Sequence, residues 1–252
     1  MKPIVVKIGG STLSGHDTTL EDLVMLQMQE VPLVVVHGGG QLASEWLIKL
    51  GISTSFINGL RVTDAESLKV VTAVLGGLVN KELVVTIQSL GGKAIGISGS
   101  DGNLLQAKMK NSELGYAGEV VAVDPAPLRL LLEAGYMPLV APISVGMADG
   151  NAMLLNVNGD TAAGAIAAAL AAEKLVFMTD VDGIHDDMGK VIPKLDLAGA
   201  QALLASGVAS GGMVPKIEAS IKALNSVSIV RIIDGTKAHA LLDETGGTII
   251  AQ

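Results

Sequence analysis

Two lysines stand where ordinary folding rules disfavour them. Lys7 lies inside the apolar run Ile4 to Ile8, and lysine is almost never fully buried unless it is paired. Its charged head either snorkels out at a strand end or meets a specific anion. Lys216 follows Gly211-Gly212-Met213-Val214-Pro215, in the first turn of an expected helix, where a cation opposes the helix dipole. It is either solvated or kept there for function, because broken local rules concentrate at functional sites. Two glycine runs accompany these lysines, Lys7-Ile8-Gly9-Gly10 and His37-Gly38-Gly39-Gly40. Each falls at the carboxyl end of an expected strand, the edge where open parallel sheets bind ligands. Glycine there lets backbone N–H groups approach phosphate oxygens, and a helix start adds positive partial charge. The same runs would also suit tight turns that need positive φ.

Other polar residues stand in unexpected company. Asn156-Val157-Asn158-Gly159-Asp160 follows Met153-Leu154-Leu155; if extended, residues 156, 158 and 160 share one face. Asp160 precedes an Ala-rich helix, so it either caps that helix or joins the two amides in a polar cluster, whereas Asn is depleted in strands and capping does not explain the asparagines. Arg61 follows the Asn58-Gly59 turn, either as a solvated side chain or as a bidentate carboxylate clamp. The P-loop, the Gly-x-Gly-x-x-Gly turn, the Gly-x-Ser-x-Gly elbow and His-Glu-x-x-His are missing. Cysteine is absent, which removes disulfides, thiolate zinc sites and cysteine nucleophiles. His16, His37, His185 and His239 are scattered and suggest no metal cluster.

Short β-branched runs alternating with helical patterns must position these groups. Ile4 to Ile8, Leu33 to Val36, Lys93 to Ser98, Met137 to Ala141, Leu175 to Met178, Ser228 to Ile233 and Thr248 to Ile250 read as strands. A helix from Asp17 or Thr18 to Val31, one from Gln41 to Leu50 that stops at Gly51 and a long one from Ala65 to Leu90 read from the apolar spacing. Gly76-Gly77 could bend the last of these. The Ala-rich segment, Leu197 to Ser206 and Met213 to Asn225 are further helices. Asn58-Gly59 signals a hairpin, and Leu104 to Asp124 reads as hairpins outside the main sheet. These βαβ units predict a three-layer αβα sandwich with a mainly parallel, open central sheet. An N-terminal lobe, 1–172, and a C-terminal lobe, 173–252, are expected.

The chain has 252 residues, 49% apolar and 17% charged, with a net charge of -8. It can bury a large core and is not disordered. The acidic balance argues against nucleic-acid or anionic-membrane partners. No secretory signal is visible, and Thr161 to Ala172, read as the most apolar window, is far short of the about 18 residues of a membrane span. A soluble, cytoplasmic protein is expected.

Taken in order, Lys7-Ile8-Gly9-Gly10, His37 to Gly40, Asn58-Gly59-Leu60-Arg61-Val62-Thr63, Asn156 to Asp160, Thr179-Asp180-Val181-Asp182-Gly183-Ile184 and Gly211 to Lys216 resemble the N-acetylglutamate kinases of the amino acid kinase (carbamate kinase-like) superfamily. The similarity covers essentially the whole chain. The Asn-Gly-Leu-Arg-Val-Thr block with the final lysine is its most specific part. The resemblance implies transfer of the ATP γ-phosphoryl group to the side-chain carboxylate of N-acetyl-L-glutamate, an early step of arginine biosynthesis. It makes Lys7 and Lys216 stabilisers of the transferring group and Asp160 their organiser. Gly9, Gly10, Gly39 and Gly40 would supply backbone donors around substrate and phosphate, and Arg61 and Asn156 would hold the substrate's α-carboxylate. Asp180, Val181, Asp182, Gly183, Ile184 and His185, with Val208, Ala209 and Ser210, would line the nucleotide. Mg²⁺ would arrive on ATP rather than in a protein metal site. The N-terminal lobe would bind acetylglutamate and dimerise, and the C-terminal lobe would bind ATP.

An already ionised carboxylate needs no general base, since a glutamate-like side chain titrates at about 4.3. The need is for positive charge and alignment, which this inventory supplies. Gly159 departs from the alanine usual in the family. The family's arginine-inhibited members carry an extra N-terminal helix for which this sequence shows no room, so the resemblance implies an arginine-insensitive homodimer. Rival readings are an acetylaminoadipate kinase of lysine synthesis, one methylene longer in substrate, and a non-catalytic sensor on the same fold.

Overall fold

The computed structural model describes residues 2–10, 18–148, 150–209 and 211–252. Its first elements are β1 (Ile4–Ile8), α1 (Thr19–Met28), β2 (Leu33–His37), α2 (Gly40–Lys49), and the hairpin of β3 (Phe56–Ile57) and β4 (Leu60–Arg61). A continuous helix, Ala65–Ser89, then runs as α3 (Ala65–Thr72), a π-helical segment (Ala73–Val79) and α4 (Asn80–Ser89). After β5 (Ala94–Ser98) come β6 (Leu105–Met109), β7 (Ala117–Val123), α5 (Ala126–Glu133), β8 (Met137–Ala141), β9 (Ile143–Ala148) and β10 (Asn151–Val157). The last third holds α6 (Gly159–Leu170), β11 (Lys174–Thr179), β12 (Lys194–Asp196), α7 (Leu197–Ser206), α8 (Met213–Ala223), β13 (Ile229–Asp234) and β14 (Thr248–Ala251).

Eight strands form one sheet in the order β12-β14-β13-β11-β1-β2-β8-β5. Every neighbouring pair is parallel except β13 with β14. A parallel sheet covered on both faces needs strands apolar on both faces, and β2 and β8 are buried throughout. Val6, Ile8, Leu33 and Val35 pack with Leu23, Leu47, Val74 and Ile87 of α1 to α4. Val5, Val34, Val36 and Phe177 pack with Ile166, Ala200, Ile217 and Leu224 of α6 to α8. The expected three-layer sandwich is thus present. Because side chains alternate along a strand, Lys7 shares the face of Val5 and points toward α6 and α8.

Several expectations change in detail. Thr18 precedes α1 but makes no side-chain cap; its hydroxyl accepts the His239 N–H at 2.6 Å. Asp160 is not the cap of α6. That cap is Asn158, whose side chain accepts the N–H groups of Asp160 and Thr161 at 2.9 and 3.1 Å. Residues 156 and 158 therefore end a strand, while Asp160 lies in the first helical turn. The 104–124 hairpin does leave the main sheet, and β6 and β7 close a four-stranded barrel with β9 and β10. The most membrane-like segment is Ala65–Ser89, long and apolar enough to cross a bilayer by length and composition, rather than Thr161 to Ala172. Here it lies on the sheet through Val71, Val74, Leu75, Val79, Leu83 and Ile87.

Candidate active site

The carboxyl end of β1 and the first turn of α6 meet over one carboxylate. Asp160 is 4% exposed, and Lys7 and Lys216 are 8% and 9% exposed. Lys7 Nζ is 2.8 Å from Asp160 Oδ1, an ion-pair contact off the hydrogen-bond direction. Lys216 Nζ donates to Asp160 Oδ2 at 3.1 Å and to the Gly212 carbonyl at 3.2 Å. Lys216 reaches Asp160 because α6 and α8 pack closely: a Cβ on Gly164 would come within 2.9 Å of the Ala219 carbonyl. Burial alone would push the Asp160 carboxyl up, but the charges of Lys7 and Lys216 outweigh it and hold it below its ordinary value. Burial lowers the Lys216 ammonium, with Asp160 acting in the opposite direction. With both lysines protonated, the buried trio carries one surplus positive charge.

Beside it the two glycine turns touch backbone to backbone. β1 and β2 are adjacent and parallel, with Ile8 opposite His37. A Cβ on Gly10 would lie 3.3 Å from Gly39 N, and one on Gly38 would lie 3.2 Å from Gly10 N. Gly39 also has φ of +128°, so both proposed reasons for glycine, a positive-φ turn and close approach, apply. Gly40 opens α2, whose first N–H groups have no intrahelical acceptor. Gly9 is different. Its N–H donates to the Met178 carbonyl at 3.2 Å, so the expectation of a phosphate-facing amide at Gly9 is corrected to a strand-end bond. Gly159 imposes no glycine requirement, since a Cβ there would meet Lys7 Cε at an ordinary 3.4 Å.

Arg61 is 7% exposed. Its guanidinium donates to Thr54 Oγ1, to the Gly40 carbonyl at 2.6 Å and to Ser44 Oγ at 2.8 Å, and stacks 4.7 Å from the Phe56 ring centroid. Among the described residues no carboxylate pairs with it, and burial lowers its pKa. Asn156 donates to Thr63 Oγ1 at 3.1 Å. Lys7, Gly10, Gly39, Gly40, Arg61 and Asn156 all line one cavity of about 240 Å³. A buried arginine with neutral neighbours and a cationic floor are suited to a dicarboxylate and a phosphoryl group.

The other expected residues do not line that cavity. Asp180 is exposed at the end of β11 and acts on Lys216 through its charge. Asp182 Oδ1 pairs with His185 Nε2 at 2.7 Å, both side chains well exposed. Val181, between Asp180 and Asp182 in the sequence, is half-buried. Gly183 has φ of +149° and lies against Thr248, whose hydroxyl accepts the Ile184 N–H at 2.8 Å. Ile184 is 1% exposed and belongs to the core. Val208 is exposed and Ala209 half-buried, while Ser210 lies outside the described residues. Sequence reasoning missed Thr63, Lys110 and Asn80. Thr63 and Asn80 are 0% exposed; Thr63 stood in the Asn58 to Thr63 block without a role of its own, and the only sign of Asn80 was a polar residue in an otherwise apolar stretch of the long helix. Lys110 lines the cavity from the end of β6, with no local pattern to mark it.

The amino acid kinase family model matches residues 2–234, and the chain belongs to that family. Among its relatives, an acetylglutamate kinase of Dehalococcoides mccartyi is 44% identical over 99% of this chain and 94% of its own length. N-acetylglutamate synthase of Neisseria gonorrhoeae, solved with coenzyme A and N-acetylglutamate, superposes with a TM-score of 0.85 and 27% identity, over 100% of this chain and 59% of that one. Carbamate kinase of Giardia lamblia bound to AMP-PNP shares the fold, with a TM-score of 0.72 and 13% identity over 100% of this chain and 98% of its own.

Proposed function

We propose that the chain phosphorylates the side-chain carboxylate of N-acetyl-L-glutamate with ATP, giving N-acetyl-L-glutamyl 5-phosphate, the second step of arginine biosynthesis. The observation that carries this reading is the buried Lys7–Asp160–Lys216 trio beside an arginine that has no acidic partner among the described residues. A carboxylate oxygen attacks the γ-phosphorus, the bond to the bridging oxygen breaks, and ADP leaves. Both reactants are anions, so repulsion between them is the barrier that the protein must lower. Lys7 and Lys216 would neutralise the transferring group, Asp160 would keep their ammonium groups aligned, and the Gly10, Gly39 and Gly40 backbones would give amide donors. Arg61 would take the α-carboxylate in fork geometry, with Asn156 beside it.

The C-terminal segment, 173–252, would hold the nucleotide along Asp180 to His185 and Val208 to Ala209, and 1–172 would hold the amino acid. Mg²⁺ would travel on the ATP phosphates, where it screens charge. Asp160 suits an organiser better than a metal ligand, because both its oxygens already face ammonium groups. The net charge of -8 and the seating of α3 and α4 on the sheet support a soluble, cytoplasmic enzyme without nucleic-acid or membrane partners. A homodimer is supported by Leu78 and Val85, 36% and 63% exposed on the apolar helix beside the edge strand β5. Sedimentation should then give twice the chain mass.

ATP-dependent hydroxamate formation with N-acetylglutamate, N-acetylaminoadipate and free glutamate offered in parallel tests the activity. Turnover should be highest with N-acetylglutamate. Preference for the longer acid would move the assignment to the aminoadipate enzyme, and binding without turnover would support a sensor.

A further inference from the structure

His37 ends β2 next to the glycine turn, is 0% exposed, and has no part in the chemistry above. Its Nδ1 lies 2.8 Å from the Gly38 carbonyl and its Nε2 lies 3.0 Å from Asn80 Nδ2. The orientation of Asn80 is fixed by its other neighbours. Nδ2 faces the Ile97 and Leu139 carbonyls at 3.2 and 2.9 Å, which only accept, and Oδ1 faces the Lys81 ammonium at 2.9 Å. The two amide hydrogens are shared among three acceptors, and because an amide nitrogen cannot accept, Nε2 carries no proton; the ring proton sits on Nδ1 and points at the Gly38 oxygen. Burial, with Lys81 and Lys7 nearby, lowers the His37 pKa to about 4 despite the Gly38 bond, so the ring is neutral at pH 7.

This matters because a trans peptide is planar and its N–H points opposite to its C=O. Holding the Gly38 oxygen toward the ring aims the Gly39 N–H away from the ring; a Cβ on Gly10 would lie 3.3 Å from the Gly39 nitrogen. Gly39 is also packed by Leu75 and Val79, which a Cβ would meet at 2.8 and 3.1 Å. Leu75, Val79 and Asn80 reach the turn together because of the π-helical segment Ala73–Val79. In an α-helix, residues five apart lie about 140° around the axis, whereas an i→i+5 turn brings them to one face. The Asn80 N–H indeed reaches back to the Leu75 carbonyl.

We propose that His37, held by Asn80 through this π turn, is a positioning residue that aims the Gly39 amide at the anionic groups of the reaction. The proposal rests on the kinase reading only for which anion is met; the tautomer and the aim of the amide stand on the geometry.

Two measurements test it on the full chain. Long-range ¹H–¹⁵N spectra of the imidazoles should show His37 as the neutral Nδ1–H tautomer from pH 8 to pH 5. An Nε2–H or protonated ring overturns the geometric part whatever the activity. His37→Leu should lower kcat by about tenfold to a hundredfold, a fraction of what loss of a whole oxyanion donor costs, with the KM for ATP within about threefold. His37→Asn, whose amide can still donate to the Gly38 carbonyl, should recover most of that loss. Asn80→Ala, which frees the ring without touching the turn, should lower kcat in the same direction and expose His37 to titration, giving kcat a new fall below about pH 6.5. If His37→Leu does not fold, Asn80→Ala and the spectra decide. Wild-type kcat in His37→Leu, Asn no better than Leu at position 37, or an unchanged pH profile in Asn80→Ala overturns the proposal. An inactive parent with the expected tautomer would instead overturn the kinase reading.

Discussion

On the side proposed to take the acceptor, Lys7, Arg61 and Asp160 are all under a tenth exposed. Their partners lie on other elements: Asp160 of α6 meets Lys7 of β1 and Lys216 of α8, and Arg61 of β4 meets Gly40 and Ser44 of α2. On the side proposed to take the nucleotide, Asp180, Asp182, His185 and Val208 face solvent, and the Asp182–His185 pair is local, three residues apart. The buried side has its charges fixed before any ligand arrives. There, low polarity makes each charge count, and reorganisation during reaction is small. The exposed side is screened by water, and its contacts gain strength only as a ligand displaces that water. The lesson concerns division of labour. Rate should depend on the buried half, whereas the solvated half should contribute modest binding.

Substitutions can break that contrast, and the largest effect belongs to the trio. Lys7→Ala should reduce kcat by about a hundredfold or more, with the KM for N-acetylglutamate changed only a few-fold in steady-state assays. A pure KM effect would mean that the lysine binds the ground state instead.

The next effect is on stability. The folded-state pKa of His37 is lowered from 6.5 to about 4, so below about pH 6.5 the unfolded chain takes up a proton that the folded chain refuses. Stability should therefore fall as pH drops from about 6.5 to about 4, by on the order of 3 kcal/mol at most. Asp160 does not confuse this window. Its folded value is depressed, so its contribution is present above its unfolded value near 3.8 and is lost only below that. Urea unfolding at pH 7 and pH 5 should show the decline in the parent and a flatter profile in His37→Asn.

Arg61→Lys should raise the KM for N-acetylglutamate about tenfold with kcat nearly kept, since a point charge replaces a planar fork. An unchanged KM would remove the carboxylate clamp. The smallest effect sharpens the comparison from the other side. His185→Ala should change the KM for ATP by less than about threefold, because an exposed pair contributes little. A loss as large as that of Lys7→Ala would show that the two halves are equally organised.

Much of this was legible beforehand. Ile4–Ile8, Leu33–His37 and Lys174–Thr179 are strands because continuous apolar runs suit a sheet covered on both faces. The Asn58-Gly59 hairpin follows from two residues with positive φ, 49° and 77°. The long helix was legible too, but its π turn was not. No propensity separates an i→i+5 turn from an α turn in Ala73–Val79, and Gly76-Gly77 suggested only a bend. The cap of α6 was not legible, because Asn158 and Asp160 are both good capping residues and only the helix start distinguishes them.

What the sequence determined by itself is therefore local and chemical: the periodicities, the glycine turns and the ordered blocks that mark the family. The tertiary structure alone decided the meetings. Lys216 joins Asp160 across 56 residues because Gly164 and Ala219 let α6 and α8 approach closely. Asn80 joins His37 across 43 residues because a π turn rotates one amide onto the sheet edge. Periodicity is set within a few residues by backbone sterics and burial, whereas such contacts depend on how whole elements pack, to within a fraction of an ångström.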